Sequence, residues 1–184
     1  MNKPHNYYKN TYHHLYNRGA NKEKIFFGAE EYIYFLRRIK YYKEKFYINI
    51  LAYCLLPNHF HLFVKQQTEK FTISQFTSSL LNSYTKAVNV KHRRSGTLFE
   101  SKTKSKEITD ESYFKWIIKY ILENPVKGNL ARKIDDWEFS NAKDLLNVRA
   151  GTLSDIKEVK SFFQSEKQMV SFLTDKSINT NYEF

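Results

Sequence analysis

Two small groups of residues have types and spacings suited to chemistry. The first is His59-Phe60-His61. If HFHLFVK, residues 59–65, is a strand, alternate side chains share a face, so His59 and His61 point one way and Phe60 the other. Two imidazoles on one face, about 7 Å apart, can converge on one ion. The second group is Tyr120 and Asn124, which share a face if they lie on a helix. Asn124 then offers a carbonyl oxygen, a suitable ligand for a hard cation, beside a phenolic oxygen. Each group also has a plainer reading. Six histidines make a chance His-x-His easy to find, and Tyr120 fits an apolar stripe with Tyr113, Trp116 and Ile117.

Both groups need a scaffold that brings a strand and a helix together. Residues 11–17 are rich in strand formers and end at Arg18-Gly19. Gly28 and the pair Glu30-Glu31 open a helix that runs to about Lys45, with Tyr32, Phe35, Leu36 and Ile39 at helical spacing. Residues 46–54 and 59–65 form two strands joined at Leu55-Leu56-Pro57-Asn58, an antiparallel hairpin. Thr72 or Ser74 caps a second helix to about Lys91, and a fourth strand falls near 104–108. A third helix, 110–124, carries Tyr120 and stops at Pro125, because the residue before a proline is pushed out of the helical region. The order β-α-β-β-α-β-α predicts an α+β fold: a ferredoxin-like split β-α-β sandwich with an antiparallel four-stranded sheet and helices on one face. To this are added the helix bearing Tyr120 and a C-terminal helical appendage. The predicted boundaries are 1–133 for the main domain and 134–184 for the appendage, with helical stretches near 140–147 and 155–173.

Charge divides the chain at the same place. Residues 1–133 hold 24 Lys+Arg against 10 Asp+Glu, whereas residues 134–184 hold 6 against 9. The basic field therefore belongs to the main domain and predicts a polyanion partner. The candidate contacts are Arg18, Lys22 and Lys24 beside the first strand, the cluster Lys91, Arg93 and Arg94, and Lys102, Lys104 and Lys106, which alternate along the fourth strand and so share one side. Aromatic residues make up 17% of the chain, enough to supply stacking faces for unpaired bases as well as core. The single cysteine, Cys54, excludes an internal disulfide and a cysteine-based zinc site and fits a reducing, cytoplasmic setting. The N-terminal residues show no secretory apolar run, and no apolar stretch is long enough to span a membrane.

Together these segments resemble the single-tyrosine HUH transposases, most closely the REP-associated tyrosine transposases. The matching residues run in order from Tyr12-His13, Asn17-Arg18-Gly19 and Ile25-Phe26-Phe27 to Leu51-Ala52-Tyr53 and Leu56-Pro57-Asn58-His59-Phe60-His61-Leu62. They end with Arg94-Ser95-Gly96-Thr97-Leu98-Phe99 and Tyr120-Ile121-Leu122-Glu123-Asn124-Pro125-Val126. The resemblance implies His59 and His61 as metal ligands, Tyr120 as nucleophile and Asn124 as a third ligand, with Mg²⁺ or Mn²⁺ as the ion. It implies cleavage and rejoining of single-stranded DNA beside a hairpin made by a short palindrome, through a 5′-phosphotyrosine, in the bacterial nucleoid. It assigns no role to His13 or His14, though His14 is a candidate spare ligand. Monomer and homodimer both stay open.

Two rival readings follow from the same residues. A non-catalytic ferredoxin-like binder of single-stranded nucleic acid needs none of His59, His61 and Tyr120, yet all three are present. A hydrolase that activates water on its metal calls for further acidic ligands, and no carboxylate cluster lies near His59 in the sequence.

Overall fold

The computed structural model of the chain describes residues 8–176. Among them, four strands form one sheet: β1 (Tyr12–Arg18), β2 (Ile48–Leu56), β3 (His59–Gln66) and β4 (Lys104–Glu107). Their order is β2-β3-β1-β4 and every neighbouring pair is antiparallel, which is the split β-α-β arrangement.

Helices α1 (Ala29–Phe46) and α2 (Ile73–Lys91) cover one face. Their buried side chains, Phe35, Ile39, Phe76, Leu80 and Tyr84 among them, meet Leu15, Phe60, Leu62 and Val64 from the central strands. Thr72 caps α2: its hydroxyl accepts from the Gln75 amide while the Gln75 side chain accepts from the Thr72 amide.

Helix α3 (Ser112–Lys127) lies across the opposite face and packs mainly on β2. Ile117, Ile118, Ile121 and Leu122 meet Leu51, Ala52, Cys54 and Phe63 there. A bulge between Ile50 and Ala52 makes this two-faced burial work. Ile48 and Ile50 face α1 and α2, Leu51 and Ala52 both face α3, and Tyr53 and Leu55 return to the first side. Strand β2 is thus apolar almost throughout because both of its faces are covered.

The predicted stop of α3 at Pro125 does not occur, since the helix continues to Lys127 with the proline inside it. Proline removes one amide donor from the ladder and orphans the Ile121 carbonyl. The side-chain amide of Asn124 compensates locally, donating to the Tyr120 carbonyl at 2.8 Å and reaching the Ile121 carbonyl at 3.5 Å.

Beyond residue 133 the chain forms α4 (Ala142–Leu145), α5 (Ile156–Ser161) and α6 (Glu166–Thr174), shorter and more broken than the periodicity implied. Ala142, Leu145, Val159, Met169 and Leu173 join the cluster beneath α3, and Leu153 joins the one beneath α1 and α2. Asn141 ties this segment to β2, its oxygen accepting from the Tyr53 amide and its nitrogen donating to the Leu51 carbonyl. No helix among the described residues is long and apolar enough to cross a membrane.

Candidate active site

Alternation along β3 sends Phe60, Leu62 and Val64 to the α1/α2 side and leaves His59, His61 and Phe63 facing α3. The antiparallel register sets Arg18 of β1 opposite His59, Tyr16 opposite His61, and Lys104 of β4 opposite Tyr16. From α3, Tyr120 and Asn124 point down at the same place. A cleft of about 390 Å³ is lined by Tyr16, Arg18, Asn58, His59, His61, Glu100, Lys104, Tyr120 and Asn124. The strand pair and the helix pair recognised in the sequence therefore share one small volume.

The rings are close. His59 and His61 have centroids 5.2 Å apart and planes at 87°. His61 and Tyr120 lie 5.6 Å apart at 88°. The Nδ1 of His59 meets the side-chain oxygen of Asn58 at 2.7 Å, and the Nδ1 of His61 meets Nε2 of His14 at 2.9 Å. In both rings these contacts use Nδ1 and leave Nε2 as the nitrogen available to a ligand. His14 is fully buried, and because its Nε2 is turned to His61 it stands behind the ligand set and not within it. Among the described residues, no group of three or more His, Cys, Asp or Glu is arranged to hold a metal, which leaves the place of a third protein ligand to some other donor. Asn124 suits that place: its nitrogen is turned to the Tyr120 carbonyl, leaving its own oxygen as a donor.

Burial sets the charge states. The imidazole of His61 is held well below the ordinary histidine range by burial, with His14 and His59 adding to the shift. His59 is lowered by burial and by the Arg18 guanidinium. Both rings are neutral near pH 7, the form in which histidine binds metals. The Tyr120 phenol is pushed up by burial, while a hydrogen bond from Asn124 pulls it back and Tyr16 adds to the rise. Near pH 7 it rests as the neutral phenol.

The basic candidates fall into separate groups. Arg18 and Lys104 line the cleft, with Arg18 paired to Glu100 at 3.1 Å and Lys104 over the Tyr16 ring at 5.7 Å. Lys106 is one step along β4, opposite His14. Lys102 does not share their side. It precedes β4, because the strand begins only at Lys104, and it lines a separate groove against α2 with Asn82, Thr85 and Lys86. Lys22 and Lys24 are exposed on the loop after β1. Lys91 is engaged by Glu30 and Glu31, each at 2.7 Å, while Arg94 sits over the Phe27 ring at 5.5 Å and Arg93 is exposed nearby.

Sequence reasoning missed Asn58, Tyr16 and Glu100 as parts of this site, and offered His14 only as a spare ligand. Asn58 carried a signal as the residue next to His59; Tyr16 is brought in by strand pairing, and Glu100 by the hydrogen bond of its amide to the Arg18 carbonyl.

The IS200-like transposase family model matches residues 7–124, a span that includes every cleft residue. Among solved structures, a REP-associated tyrosine transposase bound to a REP hairpin superposes with a TM-score of 0.67 at 20% identity, covering 85% of this chain and 90% of that one. It establishes the likeness of fold. A Deinococcus radiodurans protein provisionally described as a transposase aligns more loosely, with a TM-score of 0.43 at 17% identity over 67% of this chain and 97% of that one. No curated protein matches the chain. With more than half of its length matched by the family model, this chain belongs to the IS200-like transposase family.

Proposed function

We propose that the protein cleaves and rejoins single-stranded DNA beside a hairpin, with Tyr120 as nucleophile. The observation that carries this reading is the meeting of Tyr120, Asn124, His59 and His61 in one cleft with Arg18 and Lys104 at its walls. The solved protein of like fold carries a REP hairpin, which makes hairpin DNA the natural substrate to test.

The phenolic oxygen of Tyr120 attacks the scissile phosphorus as its proton is lost. The bond from phosphorus to the 3′ oxygen breaks, that oxygen takes up a proton, and the DNA stays joined to the enzyme as a 5′-phosphotyrosine. Attack by a 3′-OH reverses the step, so one phosphodiester is exchanged for another without an external energy source. Arg18 and Lys104 neutralise the phosphate charge, and the Tyr16 face beside Lys104 supplies a surface on which a base can stack.

The donor set fits a divalent ion: two neutral imidazoles, each with Nε2 uncommitted, are borderline donors that lean toward Mn²⁺, and the Asn124 carbonyl is a hard oxygen donor. His59, His61 and Asn124 would hold Mg²⁺ or Mn²⁺, whose charge would polarise the scissile phosphate.

The decisive experiment is incubation with Mn²⁺ and labelled hairpin oligonucleotides. A covalent protein–DNA adduct that is lost in Tyr120→Phe supports the reading. An adduct that survives this change moves the nucleophile elsewhere, and binding to hairpins without any adduct leaves a non-catalytic binder.

A further inference from the structure

Asn58 lies between the first turn of the hairpin and the ligand pair, and its two side-chain atoms are committed in opposite directions. Its amide nitrogen donates to the main-chain carbonyl of Lys22 at 3.1 Å, and its oxygen faces Nδ1 of His59 at 2.7 Å. A carbonyl can only accept, so Lys22 decides which end of the carboxamide faces which way. The end left for His59 is then an oxygen, which also can only accept. Nδ1 of His59 must carry the proton, and in a neutral ring Nε2 keeps the lone pair.

The loop before α1 holds this arrangement in place. The Gly19 amide donates to the Asn58 carbonyl at 2.8 Å, and the amides of Ile25 and Phe26 both donate to the Pro57 carbonyl, at 2.8 and 3.1 Å. The buried Tyr84 hydroxyl anchors the loop from α2, donating to the Ile25 carbonyl at 2.7 Å. A side chain at position 19 would put its Cβ 2.1 Å from the Glu23 carbonyl oxygen, so only glycine closes this turn. The segments Asn17-Arg18-Gly19 and Ile25-Phe26 thus serve as a brace for the Pro57-Asn58 turn.

His61 is held differently. Its Nδ1 faces another ring nitrogen, Nε2 of His14, with the two rings within 13° of coplanar and their centroids 5.1 Å apart. The contact is made edge to edge in the plane of both rings, and either nitrogen can donate. Only when His61 donates does its Nε2 keep a lone pair for the cleft.

We propose that Asn58 is a positioning residue that presets His59 as the Nδ1–H tautomer, with Nε2 offered to the cleft, whereas His61 acquires that tautomer when a ligand binds: the Nε2 proton of His14 passes to Nδ1 of His61, the Nε2 proton of His61 leaves to solvent, and Nδ1 of His14 takes one up, so that both rings stay neutral. The inference rests on the metal-binding reading of the cleft for its purpose, though not for its observable. Outer partners of this kind typically contribute about 10–100-fold to metal affinity.

The test is long-range proton–nitrogen NMR of the full-length, ¹⁵N-labelled protein near neutral pH, before and after addition of Mg²⁺, with Mn²⁺ affinity measured by calorimetry. Metal-free wild type should show His59 protonated on Nδ1, and Mg²⁺ should alter the His14–His61 pair but not that proton. Asn58→Leu should send His59 toward the Nε2–H form and weaken Mn²⁺ binding by about 10–100-fold. Asn58→Asp, which keeps an acceptor oxygen in place, should retain the Nδ1–H form. A wild-type His59 protonated on Nε2, or one indifferent to Asn58→Leu, overturns the proposal; so does a His14–His61 pair that Mg²⁺ leaves unmoved while it binds. If the wild type binds no metal yet His59 follows Asn58 as described, the presetting by Asn58 stands and the metal reading falls.

Discussion

The ring of Tyr120 stands edge-on to that of His61, with the centroids 5.6 Å apart and the planes at 88°. One comes from a helix and the other from a strand 59 positions earlier in the chain. Burial around this contact raises the Tyr120 phenol above its ordinary value of 10.0, so the phenolate fraction is small at neutral pH and grows as pH rises. Under single-turnover conditions with saturating Mn²⁺, adduct formation should climb by up to about tenfold per pH unit between about pH 7 and about pH 9. A fluorinated tyrosine at position 120, with its lower pKa, should bring the plateau to lower pH. A wild-type rate that is flat over this range would mean that loss of the phenol proton does not limit the step.

Stability in the absence of metal should fall on acidification. The imidazoles of His14, His59 and His61 are all held below the ordinary value of 6.5, burial being the main cause in each. The unfolded chain therefore binds protons first as pH drops, and the sign is fixed: stability is fully present above about pH 6.5 and is lost below it, at up to about 1.4 kcal/mol per pH unit for each ring. Urea unfolding in EDTA at about pH 7.5 and about pH 5.5 measures this directly. His59→Gln should reduce the slope, and a stability that grows toward the lower pH would refute the argument.

Lys119 is 1% exposed, and its ammonium donates to the carbonyls of Phe172, Leu173 and Asp175 at 3.0, 3.2 and 2.7 Å while pairing with Glu123 at 3.1 Å. It caps the C-terminal end of α6 from the helix that carries Tyr120. Lys119→Met should lower stability by about 2–3 kcal/mol, because those carbonyls lose a charged donor. Hydrogen exchange should show faster exchange in α6 before any change in the β1–β3 ladder. Unchanged exchange in α6 would mean that this contact does not hold the two helices together.

For DNA, the groups of cations should behave differently. Lys104→Ala acts beside the cleft and should weaken single-strand binding while lowering the salt slope by about 0.7, the share of one phosphate contact. Lys91→Ala removes a cation already shared by Glu30 and Glu31, so its effect on the slope should be close to zero. Fluorescence anisotropy over a salt series distinguishes them, and a larger loss for Lys91 than for Lys104 would relocate the DNA path.

Much of this protein is written in local patterns. Alternation along HFHLFVK placed His59 and His61 on one face, and helical spacing placed Tyr120 beside Asn124, because both periodicities depend only on backbone geometry. The order of strands and helices was legible for the same reason. Tertiary structure decided whatever depends on partners remote in sequence. The bulge at β2 turns Leu51 and Ala52 together toward α3, Lys102 falls short of the strand that carries Lys104, and Lys119 leaves the solvent face a lysine suggests to cap α6. The pairing of β1 with β3 brings His14 to His61, and the folding back of the Gly19–Phe26 loop brings the Lys22 carbonyl to Asn58. A residue's own type and near neighbours determine which way it points along its element, but only the closed fold determines what it meets there.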